Sequence, residues 1–460
     1  MCTLWPKLSN PTPKCHWFPL QNGAARRPGR SLATHETSSE HPIRWNLIGA
    51  LGVAAFCLAA AGCGAGPQVA QPTAFASQAD AGALSDTTTA GVDDAAAAGA
   101  ASGIDGAGAA TAADLPRANG IRPDRIVIAD SRPPQYATVT VHYGTNRLPT
   151  GERTPNSFFG TQRGPLQYGV TQVSVPFSHE IGVLEAPKLW KFEVNEDPRK
   201  HMVLMTLTPL SSAEFAGQLT RRIGAASLRE VFVFVHGFKV AFKDAVRRTA
   251  QIAYDMNYRG VPLLFSWPSQ GSLGGYRQDE ASVTASVPDL QQFLQVVASQ
   301  GADRVHLMAH SMGNRVLAAA LVGLAGMRRP DGKPLFREVI LAAPDIDRAV
   351  FLQEILPAMR PATERLTLYA SNSDQALKAS RRLNSSARLG QADAGMALHP
   401  DLCTVDATHV DTSLLGHSFY AQSRSILRDI ARILVGSPPQ DAGLVRLLRG
   451  GREFWRAPGD

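Results

Sequence analysis

The sequence predicts an α/β protein: a mostly parallel sheet with helices on both faces, entered through a few antiparallel strands. Three observations predict it. From residue 230 onward, short runs of apolar and β-branched residues recur without polar interruption, as in strands buried on both faces. Stretches with helical spacing separate those runs. Upstream, from Ile121, short β-rich runs alternate in polarity and are divided by turn residues, as in strands with one wet face.

Taken in order, "ATVTVHYGTNR" (137–147), "YGVTQVSVPF" (168–177) and "HMVLMTLTPL" (201–210) read as half-buried antiparallel neighbours. "EVFVFVHG" (230–237) is a continuous apolar strand, and 242–258 follows with helical spacing. "LLFSW" (263–267) is a second such strand, with a helix around 290–297. "RVHLMAHS" (304–311) is a third, with a helix through 316–324. "REVILAAPD" (337–345) and "RLTLYASNSD" (365–374) are two more, and a terminal helix is expected over about 421–434. The Gly-, Ser- and Pro-rich stretch 266–289 is expected either to line or cover a pocket or simply to connect two elements.

The ordered domain is therefore expected over 121–436, with 437–460 a short basic tail of no assignable role. Residues 1–62 read as a leader. Arg44 precedes an uncharged run over 45–62, shorter than the roughly 20 residues a membrane span needs and ending in small residues. "LAAAGC" is similar to a bacterial lipobox, which makes Cys63 the expected lipidated N-terminus of an exported, envelope-anchored protein. Ala60 stands where Leu is usual, and 43 residues precede Arg44; a signal peptide cleaved nearby and an uncleaved anchor are the alternatives. Residues 63–120 are low in complexity and rich in Ala and Gly, too poor in apolar area to offset the entropy of ordering, so a flexible tether is expected. Its ends would sit about 40 Å apart.

Charge and cysteine content exclude other classes. The formal +7 is concentrated in 1–62, where six Lys/Arg face two Glu; the remainder shows no basic stripe, so nucleic acid is not an expected partner. Cys2, Cys15 and Cys57 lie in the leader, leaving Cys63 and Cys403, so neither a disulfide framework nor a cysteine zinc site is expected. No metal and no cofactor is called for.

Ser311 carries the chemistry. In open α/β sheets the chemistry sits beyond the carboxyl ends of the strands, and Ser311 ends an apolar strand just before a helix. "AHSMG" (309–313) is a small-x-Ser-x-Gly elbow, a turn so sharp that the positions two before and two after the serine must be small. A nucleophilic serine needs a base, an acid and an oxyanion hole, and in such folds acid and base follow it in that order. Asp374 closes the strand "RLTLYASNSD", and His417 in "LLGHSFY" precedes the terminal helix. Asp345 and Asp347 of "APDID" also lie beyond a strand end and are the alternative acids. His399, in a loop, and His409, inside the apparent strand "TVDATHVD", compete less well for the base. Met312 and Phe238 are expected to offer oxyanion N–H groups, the second from the loop at "VHGFKVAF", where His236 reads as a structural hydrogen-bonder.

"VFVFVHGFKVAFKDAVRR", "LLFSWPSQG", "HLMAHSMGNRVL", "LAAPDID", "LYASNSDQALKAS" and "LLGHSFY", with "VHYGTNR" and "YGVTQVSVP" before them, together resemble the bacterial α/β-hydrolase family of esterase/lipase-superfamily enzymes of unknown function. The resemblance runs over roughly 138–430. It implies an α/β-hydrolase fold, a Ser311–Asp374–His417 triad and no cofactor, and it supplies no substrate. Lys239 stands where relatives often carry Asn, with no loss of catalysis expected. The expected activity is hydrolysis of a small-molecule ester or lipid. An acyltransferase or thioesterase using the same residues, and a non-catalytic envelope binding protein on a hydrolase scaffold, are the alternatives.

Overall fold

The computed structural model describes residues 135–187, 195–410, 418–437, 439 and 443–459. The leader, the tether, Cys63 and His417 lie outside the described residues. Strands β1 (Tyr136–Pro149), β2 (Phe159–Pro176) and β3 (Leu204–Leu210) are antiparallel neighbours, as their alternating polarity predicts. Next come β4 (Glu230–Val235), β5 (Val261–Ser266), β6 (Arg304–His310), β7 (Phe336–Ala342), β8 (Thr363–Ala370), β9 (Cys403–Asp406), β10 (Val445–Arg449) and β11 (Arg452–Arg456). They form one sheet in the order β10-β11-β9-β8-β7-β6-β4-β5-β1-β2-β3, parallel from β1 through to β11.

The helices are α1 (Ser212–Ala225), α2 (Phe242–Asp255), α3 (Tyr276–Ala285), α4 (Val287–Ala298), α5 (Gly313–Leu324), α6 (Arg348–Val350), α7 (Leu356–Met359), α8 (Gln375–Asn384), α9 (Phe419–Gln422) and α10 (Arg424–Leu434). They cover both faces, and β4 shows why its sequence is apolar throughout. Val231, Val233 and Val235 pack with α1, α4 and α5, whereas Phe232 and Phe234 pack with α2 and α10. Burying each of those phenylalanines contributes about 2 kcal/mol of transfer free energy. α10 reaches the same layer through Ile426, Ile430 and Ile433, spaced for one helical face and started by Ser423, whose side chain accepts the Ile426 N–H. Among the described residues no helix is long and apolar enough to cross a membrane.

Three stretches differ from their sequence reading. Residues 276–285, expected as loop, are α3; its buried positions are Asp279 and Val283, so the apolar periodicity that announces a helix is missing. "TVDATHVD" leaves the sheet at Asp406, whose Oδ1 accepts the Thr408 N–H and turns the chain, so His409 is exposed in a turn and not inside a strand. Residues 445–456 of the expected tail form a hairpin whose Gly450 and Gly451 both have positive φ, and β11 extends the sheet beside β9.

The order of the central strands positions the site. After β4 the chain adds β5 on one side, then crosses to add β6 on the other. Such a reversal opens a crevice beyond the carboxyl ends of the two diverging strands. Val235 of β4 pairs with Ala309 of β6, so Gly237 and Ser311 leave the sheet side by side.

Candidate active site

Ser311 sits between β6 and α5 with φ +52, a left-handed conformation that a non-glycine residue rarely adopts. Its N–H donates to the Ala342 carbonyl (3.0 Å), and its own carbonyl accepts from the N–H groups of Asn314 (3.1 Å) and Asp345 (3.2 Å). The Asn314 side-chain amide adds a further bond to the same carbonyl at 3.1 Å. Backbone from strand β7, the loop after it and helix α5 thus holds the turn. The small neighbours are obligatory: a Cβ at Gly313 would stand 2.3 Å from the His236 carbonyl oxygen, and one at Gly237 would stand 2.9 Å from the Ser311 Cβ.

The loop after β4 lies against this elbow. Met312, next to the serine, is fully buried. Phe238 is half-buried and meets Tyr276 of α3 edge-on, with ring centroids 5.4 Å apart. Lys239 follows at φ +60. The His236 ring is buried, stacked on Trp267 at 5.1 Å, and its Nδ1 donates to the Gly237 carbonyl at 2.9 Å. Burial, and then the nearby Arg147 cation, hold its pKa down to about 3. A neutral imidazole so engaged is a structural hydrogen-bonder.

The candidate acids occupy different surroundings. Asp374 follows β8, is buried, and its Oδ1 accepts the Leu377 N–H (2.9 Å) as the cap of α8. Asp345 follows β7 and is surrounded by donors: Arg388 Nε (2.7 Å) and Ser380 Oγ (2.5 Å) on Oδ1, Tyr276 OH (2.9 Å) and Arg315 Nη2 (3.1 Å) on Oδ2. Burial alone would raise its pKa, but Arg315 and Arg388 outweigh it and hold the carboxyl at about 2. Asp347 caps α6 through the Ala349 and Val350 N–H groups, at 2.8 and 3.0 Å. Of the candidate bases, His399 accepts the Asp401 N–H at 3.2 Å beside an isolated bridge to Leu402. The turn holding His409 is tied to the approach to Asp374, because Ser373 Oγ donates to the Thr408 carbonyl at 2.9 Å. His310, just before Ser311, stacks on Tyr420 with centroids 4.3 Å apart. Among the described residues no group of His, Cys, Asp and Glu could hold a metal ion.

Sequence reasoning passed over the end of β1. Thr145, Asn146 and Arg147 are buried polar residues that reach into 266–289: Thr145 Oγ1 donates to the Ser266 carbonyl (2.6 Å), Asn146 to Ser286 Oγ (2.9 Å) and Asp289 (2.8 Å), Arg147 Nε to Ser266 Oγ (2.9 Å). Three polar residues continuing a strand pattern without a turn signal were the available clue.

A family model described as alpha/beta hydrolase of unknown function (DUF900) matches residues 211–437. Solved structures that match the chain include a dienelactone hydrolase from Anabaena variabilis, 13% identical, with 65% of this chain and 95% of that one covered and a TM-score of 0.28. An esterase from Pyrobaculum calidifontis is 10% identical over 48% of this chain and 92% of its own, with a TM-score of 0.25. An ester-hydrolase from the metagenome of Lake Arreo is 10% identical over 67% and 84%, with a TM-score of 0.26. No curated protein matches the chain.

Proposed function

We propose that this α/β hydrolase, whose residues 211–437 match a family without an assigned function, cleaves carboxylic esters through an acyl-enzyme on Ser311. One observation carries the reading: a serine held at φ +52 at a strand–helix junction, with Gly237 and Gly313 pressed against it. A serine that only capped a helix would need no such strain, which costs about 1–3 kcal/mol and clusters at functional sites.

In the reaction His417 takes the Ser311 proton as Oγ bonds to the ester carbonyl carbon. The alcohol then leaves with the proton from the imidazolium, and water, deprotonated by the same imidazole, breaks the acyl–Oγ bond to release free acid. Asp374 holds the imidazole tautomer. The N–H groups of Phe238 and Met312 receive the oxyanion; among the described residues neither donates to another acceptor. Tyr420, three residues after His417, stacks on His310 beside the nucleophile, which supports His417 over the exposed His409. The saturated donors around Asp345 support Asp374 as the acid.

A fluorophosphonate probe tests the reading. Wild type is expected to be labelled at Ser311, whereas Ser311→Ala is expected to escape labelling and to lose at least about 10⁴-fold in nitrophenyl-ester turnover. A folded wild type that stays unlabelled would sink the proposal in favour of a binding protein. Capture of the acyl group by an added alcohol in place of water would make the chain an acyltransferase.

A further inference from the structure

We infer that Arg147, on β1 and outside the segment that matches the family, is a positioning residue that fixes the turn 236–241 so that the Phe238 N–H faces the reacting carbonyl; this rests on the serine-hydrolase reading above. Arg147 is 1% exposed, and its guanidinium bonds to neutral acceptors. Nη2 donates to the Val240 carbonyl (2.8 Å), Nη1 to those of Gly160 (2.9 Å) and Ser269 (3.2 Å), and Nε to Ser266 Oγ (2.9 Å). Among the described residues it forms no ion pair. A buried cation bonded to uncharged groups is an expensive way to fill a core. What a guanidinium adds is a rigid planar fork, here joining β2, the stretch after β5 and the turn after β4.

The bonds continue to the oxyanion loop with their directions fixed. Ser266 Oγ accepts from Arg147, so its own proton goes to His236 Nε2 (3.1 Å). That leaves the imidazole proton on Nδ1, from which it is donated to the Gly237 carbonyl (2.9 Å). Trp267 Nε1 holds the His236 carbonyl (2.8 Å). Ser269 Oγ accepts the Val240 N–H (3.2 Å) and donates to Asp279 (2.5 Å), whose Oδ2 also faces the Lys239 N–H at 3.5 Å. His236, Gly237, Lys239 and Val240 are thus each tied down, and Phe238 between them is left to present its amide.

The test uses the full chain. Arg147→Lys keeps the charge and loses the fork, so kcat is expected to fall about 10²-fold. KM should stay within about threefold, because the interaction is made in the transition state. Binding of a boronic acid, which mimics the tetrahedral state, should weaken in proportion to kcat/KM, a correlation that general destabilisation does not produce. Amide hydrogen exchange should accelerate over 236–241. Should Arg147→Lys fail to fold, Ser266→Ala leaves the arginine in place and removes one link; the same kcat-only loss is then expected at about tenfold. A folded variant with unchanged kcat and boronate affinity overturns the role of Arg147 while fluorophosphonate labelling leaves the hydrolase intact. An unlabelled wild type overturns both.

Discussion

Asp345 and Asp374 lie just past the ends of β7 and β8, adjacent parallel strands, and both are buried. From sequence Asp374 is the expected acid and Asp345 its alternative, since both follow a strand end. In the fold, Asp345 is gripped by two guanidinium groups, a serine and a tyrosine, drawn from α3, α5, α8 and the loop before β9. Asp374 caps a helix that starts at the next residue. A carboxylate saturated by cations is held ionised and oriented, and it has little left to offer an imidazole. Proximity to a strand end therefore nominates an acid, and the donors that reach it decide its work.

The largest effect should separate the two directly. Asp374→Asn keeps a good helix cap but leaves the base in the wrong tautomer, so turnover is expected to drop about 10⁴-fold with little change in thermal stability. A variant that retains full activity, beside an inactive but folded Asp345→Asn, would exchange their roles. Asp345→Asn is instead expected to cost about 3 kcal/mol in urea unfolding, since it leaves Arg315 and Arg388 with buried, uncompensated charge; the surviving folded fraction should still take the fluorophosphonate label. The smallest effect is on the acid limb of stability. The Asp345 carboxyl is depressed to about 2 in the fold. Its contribution is therefore present above its ordinary value near 3.9 and is lost as pH falls toward 2. Melting temperatures across that window should fall more steeply for wild type than for Asp345→Asn; parallel curves would refute the ion-pair account.

The elbow was legible because it is local: it shows itself through the five consecutive residues 309–313. The partners of Asp345 were not legible: Arg315 is 30 residues away in sequence and Arg388 is 43, and no periodicity links them. Arg147 escaped for the same reason, reaching Val240 across 93 residues. Helix α3 escaped because its inward face carries an aspartate, Asp279, where a hydrophobic stripe would be read. The final hairpin was in principle readable, since Gly450-Gly451 between "VRLLR" and "REFWR" is a two-residue turn signal, masked by its arginines.

The sheet extends beyond the matched segment at both margins. β1 shields one flank of β5, and β11 shields the outer flank of β9. A chain trimmed to 211–437 would present both flanks bare, with rows of unanswered backbone donors and acceptors beside apolar side chains such as Leu263 and Val405. Such rows template pairing between molecules. Solubility on expression thus depends on residues that lie outside the segment 211–437, and a truncation made to isolate that segment would yield aggregates that say nothing about its chemistry.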